Sequence, residues 1–274
     1  MGIMRNSRFR LDEISASRLW LAMLRRVEAL PEWLSWSANS RESSENKEKL
    51  RKVRGIHNNQ RCFIMANGPS LASMDMTPLA REITIGMNRI YLLFDRIPFQ
   101  PNYYVCSNEL VLEQFSHDIR MLQMPKFLNW NRRKLYAPPD EITMFFHIRF
   151  GLIDRFGEDP TRSLWGGGTV TYVTLQLAFY LGFSEVILIG LDHNYVEIGT
   201  PNTIETRNYA DDKSHFHPNY YPKGIKWQLP DLRHSEAAYF LARKAFESDG
   251  RRIMDATNGG KCQIFEKVDY YSLF

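Results

Sequence analysis

The stretch Arg61-Cys62-Phe63-Ile64-Met65-Ala66-Asn67-Gly68-Pro69-Ser70-Leu71 decides how the rest of the chain is read. Cys62 to Ala66 is apolar throughout, too short for a helix, and stops at an Asn-Gly-Pro turn. That is the pattern of a strand buried on both faces, as in a parallel sheet covered by helices. In open α/β sheets ligands bind at the carboxyl ends of the strands, and glycine there lets backbone N–H groups approach a phosphate closely. Asn67, Gly68, Pro69 and Ser70 are therefore a candidate nucleotide loop. The plainer alternative is a simple turn, because Asn-Gly and Gly-Pro are both common turn formers.

Working outward, similar short apolar runs predict strands over 83–87, 103–106, 126–128, 142–146, 185–189 and 252–255, and helices over 169–181 and 235–248. Strand–helix–strand crossovers are right-handed, so the units wind a Rossmann-like, mostly parallel α/β sheet with helices on both faces. This catalytic domain is expected over 60–274. A long polar and aromatic stretch, 194–231, predicts a lid over the carboxyl edge of the sheet.

Residues 1–59 read as a helical appendage and linker. Leu11, Ile14, Leu19, Met23, Val27 and Leu30 recur at helical spacing, with Trp20, Trp33, Trp36 and several arginines between them. Such a segment, 9–36, either packs on its own domain or on a second copy of the chain, or lies on an anionic membrane face. Residues 37–48 read as a linker, so deletion of 1–37 is expected to leave the domain folded.

The charge follows this division. The chain has 35 Lys and Arg against 31 Asp and Glu. Residues 1–60 hold 12 against 7, and the remaining 214 residues are close to neutral at −1. A neutral main body argues against nucleic acid as its partner. Three scattered cysteines exclude a zinc finger or disulfide framework. No apolar run approaches the ~20 residues that span a bilayer, and no apolar core follows the arginines of 1–10, so a cytoplasmic protein without a cleaved signal is expected.

Two further predicted strand ends finish in asparagine, Asn88 and Asn108. An Asn side chain offers both acceptor and donors for a base edge or ribose, although each could equally cap a helix. Gly166-Gly167-Gly168-Thr169 opens the helix of 169–181, where amides and helix dipole would face an anion. It lacks the Gly-Lys-Ser/Thr ending of a P-loop. After the strand of 185–189 come Asp192, His193 and Tyr195, then a lid carrying Asp211, Asp212, His215, His217, Tyr220 and Tyr221. A lid histidine suits a general base. Asp192, alone or with His193, is the candidate should a divalent metal bind.

Asn67-Gly68-Pro69-Ser70-Leu71, Asn88, Asn108, the turn of 166–169, the run of 187–192 ending in Asp192, and Ser214-His215-Phe216 are similar, in order, to two related groups. One is the MptE-like family, named for an archaeal 6-hydroxymethylpterin diphosphokinase and including bacterial members tied to surface polysaccharides. The other is the bacterial CMP-sialic acid sialyltransferases, of a Rossmann-like glycosyltransferase-A variant fold. The resemblance spans about residues 60–260. It implies a nucleotide-sugar-dependent transferase, with a CMP-sugar favoured as donor and a surface glycan as acceptor. Asn67, Asn88, Asn108, Gly168 and Thr169 would hold the donor, with Gly167 beside them. His215 or His217 would be the base, Asp192 a further catalytic group, and His193, Tyr195 or Tyr220 would meet the phosphate. The alternatives are a diphosphokinase using ATP and Mg²⁺ on a pterin-like substrate, and a nucleotide-sugar-binding subunit without turnover.

Overall fold

The computed structural model describes residues 30–38, 40–151, 154–195, 199–208 and 212–274. The predicted helix of 9–36 thus lies outside the described residues up to 29. The strands are β1 (Arg61–Met65), β2 (Thr84–Met87), β3 (Tyr103–Cys106), β4 (Lys126–Asn129), β5 (Thr143–Phe146), β6 (Ile148–Arg149), β7 (Leu164–Trp165), β8 (Glu185–Ile189), β9 (Ile204–Thr206), β10 (Lys226–Gln228), β11 (Arg252–Asp255) and β12 (Glu266–Lys267). The helices are α1 (Arg41–Lys52), α2 (Glu109–Gln114), α3 (Ser116–Met121), α4 (Val170–Leu181) and α5 (Leu232–Ser248).

Eight strands form one sheet in the order β12-β11-β8-β1-β2-β3-β4-β5, every pair parallel. This is the expected Rossmann-like α/β fold. Cys62, Phe63, Ile64 and Met65 of β1 and Val186 to Ile189 of β8 are fully buried, which is why these strands carry no polar alternation. Between β1 and β3 the crossovers are short 3-10 turns rather than long helices, two of them opened by Pro69 and Pro78. Helix α4 is buried on almost every side, capped by the Thr169 hydroxyl at its start.

One sequence reading is corrected here. Residues 37–48 are not a linker: Ser40 caps α1, which begins at Arg41 and lays Ser43, Asn46 and Leu50 onto the domain. The Asn46 side-chain amide donates to the Phe145 carbonyl and accepts from the Phe145 N–H, both at 2.7 Å. It thereby closes the open edge of β5, which would otherwise be free to pair with another chain. Just before it, residues 30–37 are helical, with Trp36 buried against Trp130. The expected boundary at 59/60 thus runs through packed structure, because one buried indole and one edge-capping amide outweigh a polar composition.

Of the stretch expected to form a lid, residues 194–195, 199–208 and 212–231 are described. Strands β9 and β10 pair antiparallel, and Phe216, Tyr220, Tyr221, Trp227 and Leu229 are buried. The Phe216 N–H donates to the Asn67 carbonyl at 3.1 Å, joining lid to β1 loop. Among the described residues no helix is long and apolar enough to cross a membrane.

Candidate active site

β1 and β8 are neighbours, but the chain builds outward from β1 through β2 to β5 on one side and returns through β8 to β11 and β12 on the other. Where the order reverses, the loops leaving the two strands diverge and open a crevice. The cleft found there is about 660 Å³ including its mouth. Asn67, Gly68, Asn88, Gly168, Thr169, Asp192, His193, Tyr195, His215 and Tyr220 all line it.

Gly68 is required by close approach: a Cβ there would sit 1.9 Å from Asp192 Oδ2 and 2.6 Å from the Gly190 carbonyl. Asp192 lies so near because Ser70 holds it, through its N–H to Oδ1 at 3.1 Å and its hydroxyl to Oδ2 at 2.7 Å. Burial pushes the Asp192 carboxyl above its ordinary range even with these bonds. Both oxygens are therefore engaged in clasping the two loops together. Pro69 and Ser70 serve this clasp and do not line the cleft.

The three asparagines separate. Asn67 is 8% exposed, and among the described residues its buried Oδ1 has no hydrogen-bond partner. Asn88, at φ 49°, lines the cleft; its carbonyl accepts from the Tyr104 hydroxyl at 2.5 Å and its Oδ1 from the Cys106 thiol at 3.5 Å. Asn108 does not reach the cleft. Its Oδ1 accepts from the N–H groups of Leu110 and Val111 and caps α2. If a nucleotide occupies this cleft, calorimetry should show its affinity reduced by roughly 1–3 kcal/mol in Asn67→Ala, as for a lost buried hydrogen bond. The variant's melting temperature should hold or rise, because the mutation removes an unsatisfied buried acceptor; a lower one with unchanged affinity would make Asn67 a turn residue only.

Opposite these loops stand two helix N-termini. Gly168, Thr169, Val170 and Thr171 bring the start of α4 to the wall, and Leu232 and Ser235 bring the start of α5. The start of α4 carries partial positive charge and N–H groups suited to an anion, whereas the start of α5 is already capped by the Asp231 carboxylate, which accepts from the His234 N–H at 3.0 Å. Gly167 and Gly168 have φ of 53° and 70°, the left-handed region that glycine adopts freely. Gly167 lies off the cleft, packed on Tyr172 and Ala238. The turn is held by Gln176, a buried side chain whose amide donates to the Trp165 carbonyl at 2.8 Å and accepts from its N–H at 2.9 Å. Behind it, His234 bonds Asp154, which raises the imidazole above its ordinary range.

On the lid, His215 Nδ1 lies 3.0 Å from both oxygens of Asp212, and the ring stacks on Tyr220 with centroids 4.0 Å apart and planes at 1°. Burial pushes the Asp212 carboxyl up, but the His215 hydrogen bond and the charges of His215 and Arg207 outweigh it and hold the carboxyl below its usual range. Arg207 Nη1 lies 3.5 Å from Asp212, both side chains fully buried. With Nδ1 bound to a carboxylate, the tautomer is set and Nε2 is the atom left for chemistry. His217 lies off the cleft and its Nδ1 accepts from the Asn219 N–H at 3.1 Å. His193 lines the cleft but bonds Glu236 at 3.2 Å, and burial lowers its affinity for a proton. Tyr195, partly exposed, stands edge-on to His215 at 6.0 Å.

Among the described residues no three His, Cys, Asp or Glu side chains are grouped to hold a metal ion. Of the two expected ligands, Asp192 accepts from Ser70 and His193 bonds Glu236. The sequence reading missed the pairing of Asp212 with His215, although their spacing of three was visible, and gave no sign of Gln176, Ser235 or Glu236.

No protein-family model matches the chain, and no curated protein matches it. Among solved structures, the MAf glycosyltransferase from Magnetospirillum magneticum AMB-1 superposes with a TM-score of 0.49 at 15% identity, over 95% of this chain and 43% of that one. A mammalian sialyltransferase superposes with a TM-score of 0.33 at 13% identity, over 85% of this chain and 86% of that one. The chain thus spans less than half the length of the first. The fold is established by the strand order, not by these distant likenesses.

Proposed function

We propose that this chain is a glycosyltransferase that moves a sugar from a nucleotide donor, a CMP-sugar first among them, to a hydroxyl of a glycan acceptor. The observation that carries the reading is His215, held from behind by Asp212, facing the same cleft as Asn67 and the start of α4. Asn67 and Asn88 would hold the nucleoside, and the start of α4 its phosphate. The acceptor O–H would give its proton to His215 Nε2 as the oxygen bonds the anomeric carbon. The bond from that carbon to the phosphate oxygen breaks, and its electron pair leaves with the nucleotide. The negative charge that builds on the phosphate is met by preorganised N–H groups and the helix dipole. These steps use only the donor, the acceptor and this chain's own residues; Asp192 and Asp212, two carboxylates the diphosphokinase alternative would draw on, bond Ser70 and His215.

Calorimetry against CMP, UMP, UDP and GDP, followed by turnover of the bound nucleotide's sugar conjugate with and without EDTA, tests this. Binding of one nucleotide and turnover that survives EDTA are expected. Absence of any nucleotide binding would sink the proposal, turnover abolished by EDTA would favour the diphosphokinase, and binding without turnover over a donor and acceptor screen would leave a binding subunit. The acceptor we infer is a surface glycan. Trp33 and Leu34 are exposed at the end of the 9–36 segment, apolar surface that supports contact with a membrane face.

A further inference from the structure

Arg89 directly follows Asn88 at the end of β2, and only 5% of it is exposed. A buried guanidinium is costly unless its N–H groups and charge are met. Among the described residues no carboxylate pairs with it. Its partners are neutral and come from two places. Nε donates to the Tyr91 hydroxyl at 3.1 Å and the guanidinium lies 3.8 Å from the centre of the Phe115 ring, both on the sheet side. Nη1 donates to the carbonyls of Asn219, at 2.9 Å, and Tyr220, both on the lid. The Arg89 backbone N–H adds a contact to the Tyr220 hydroxyl at 3.4 Å.

The base of this bridge is rigid. Asn88 N–H donates to the Val105 carbonyl at 3.0 Å and its own carbonyl takes the Tyr104 hydroxyl, so β3 fixes the backbone from which Arg89 springs. Its far end fixes Tyr220, and the Tyr220 ring is the face on which the His215 imidazole lies flat. Asp212 sets the tautomer of that imidazole and its rotation about Nδ1; a stacked neighbour sets its plane. The plane determines where Nε2 points.

We propose that Arg89 is a positioning residue for His215: by anchoring Tyr220 to the β2 loop it fixes the orientation of the lid imidazole relative to the nucleotide side of the cleft. The proposal rests on the reading of His215 as the base. It makes residues 88 and 89 a joint between donor site and base, one side chain facing the cleft and the next holding the lid. A lysine could not replace it fully, since one ammonium on a flexible stem cannot donate to the lid carbonyls from one nitrogen, to the Tyr91 hydroxyl from another and lay a planar face on the Phe115 ring at once.

The test uses the full chain and the Arg89→Ala and Arg89→Lys variants. The first measurement is the NMR position of the His215 ring protons, assigned by their loss in His215→Ala. In the parent these are shifted upfield by the Tyr220 ring; in Arg89→Ala they should move toward the positions of a free imidazole, while those of His147 and His234 stay. Arg89→Lys should fall between, and it serves alone if the alanine variant does not fold. The second is kinetics: kcat should fall about 10- to 100-fold, as for a reacting group misplaced by roughly 1 Å, with the donor Kd unchanged. His215 signals that do not move in either variant would overturn the proposal, as would unaltered kcat in variants whose His215 signals do move. If His215→Ala itself retains full turnover, the reading of the base has failed, and the NMR arm still decides whether Arg89 orients the ring.

Discussion

His215→Ala should lower turnover by about 10²–10⁴-fold, the usual worth of a positioned general base. Donor affinity should stay near that of the parent, because the imidazole meets the acceptor hydroxyl and the nucleotide is held by other residues. The lid should also stay folded: His215 contributes one hydrogen-bond partner to Asp212, which keeps Arg207 and the Ser214 N–H. His217→Ala should cost far less, since that ring lies off the cleft and its Nδ1 is engaged by Asn219. Steady-state kinetics of both variants with calorimetric donor Kd values check this. A dead His217→Ala would move the role by two residues. Full turnover in both would make the lid histidines structural and return attention to His193 and His234.

The seven longer strands of the sheet were legible because a strand buried on both faces must be apolar throughout, and such runs stand out between glycine and asparagine turns. β6, β7 and β12 are two residues each, too short to leave a pattern, and β9 and β10 are largely exposed. The position of the site was legible for a topological reason: the loop after the first strand and the loop after the strand that returns beside it must flank the switch point. What each residue does there was less so. Asn67, Asn88 and Asn108 share a context in sequence. Only the first two lie on strands beside the crevice, while Asn108 sits one strand further out and serves α2. Asp192 read as a catalytic carboxylate, and nothing local contradicts that; its partner Ser70 is 122 residues away. His215 and His217 share a context in sequence; Phe216 between them is buried with its N–H on the Asn67 carbonyl, and of the two histidines His215 lines the cleft while His217 does not.

Trp36→Ala should destabilise the protein by about 3–5 kcal/mol, the range for emptying a large aromatic site in a core. The indole is 1% exposed, stands edge-on to Trp130 at 5.0 Å, and donates its N–H to the Arg162 carbonyl at 2.6 Å, so its loss leaves a cavity and an unpaired acceptor together. Deletion of residues 1–37 removes the same side chain and should give an insoluble or poorly folded product, against the expectation from composition. Urea unfolding of the point variant supplies the measurement, and a cost under about 1 kcal/mol would restore the view of this segment as an appendage. The pH dependence gives an independent check, because the His147 ring lies 6.3 Å from the indole and burial lowers its pKa to about 4. Unfolded, this histidine takes a proton near pH 6.5. Between about pH 6.5 and 4 the unfolded state binds more protons than the folded one, so this group's contribution is intact above that window and stability falls as the pH drops through it. In Trp36→Ala, water admitted to the cavity relieves the burial, the folded pKa returns toward its ordinary value, and the acid-side loss of stability should flatten even as the neutral-pH stability drops.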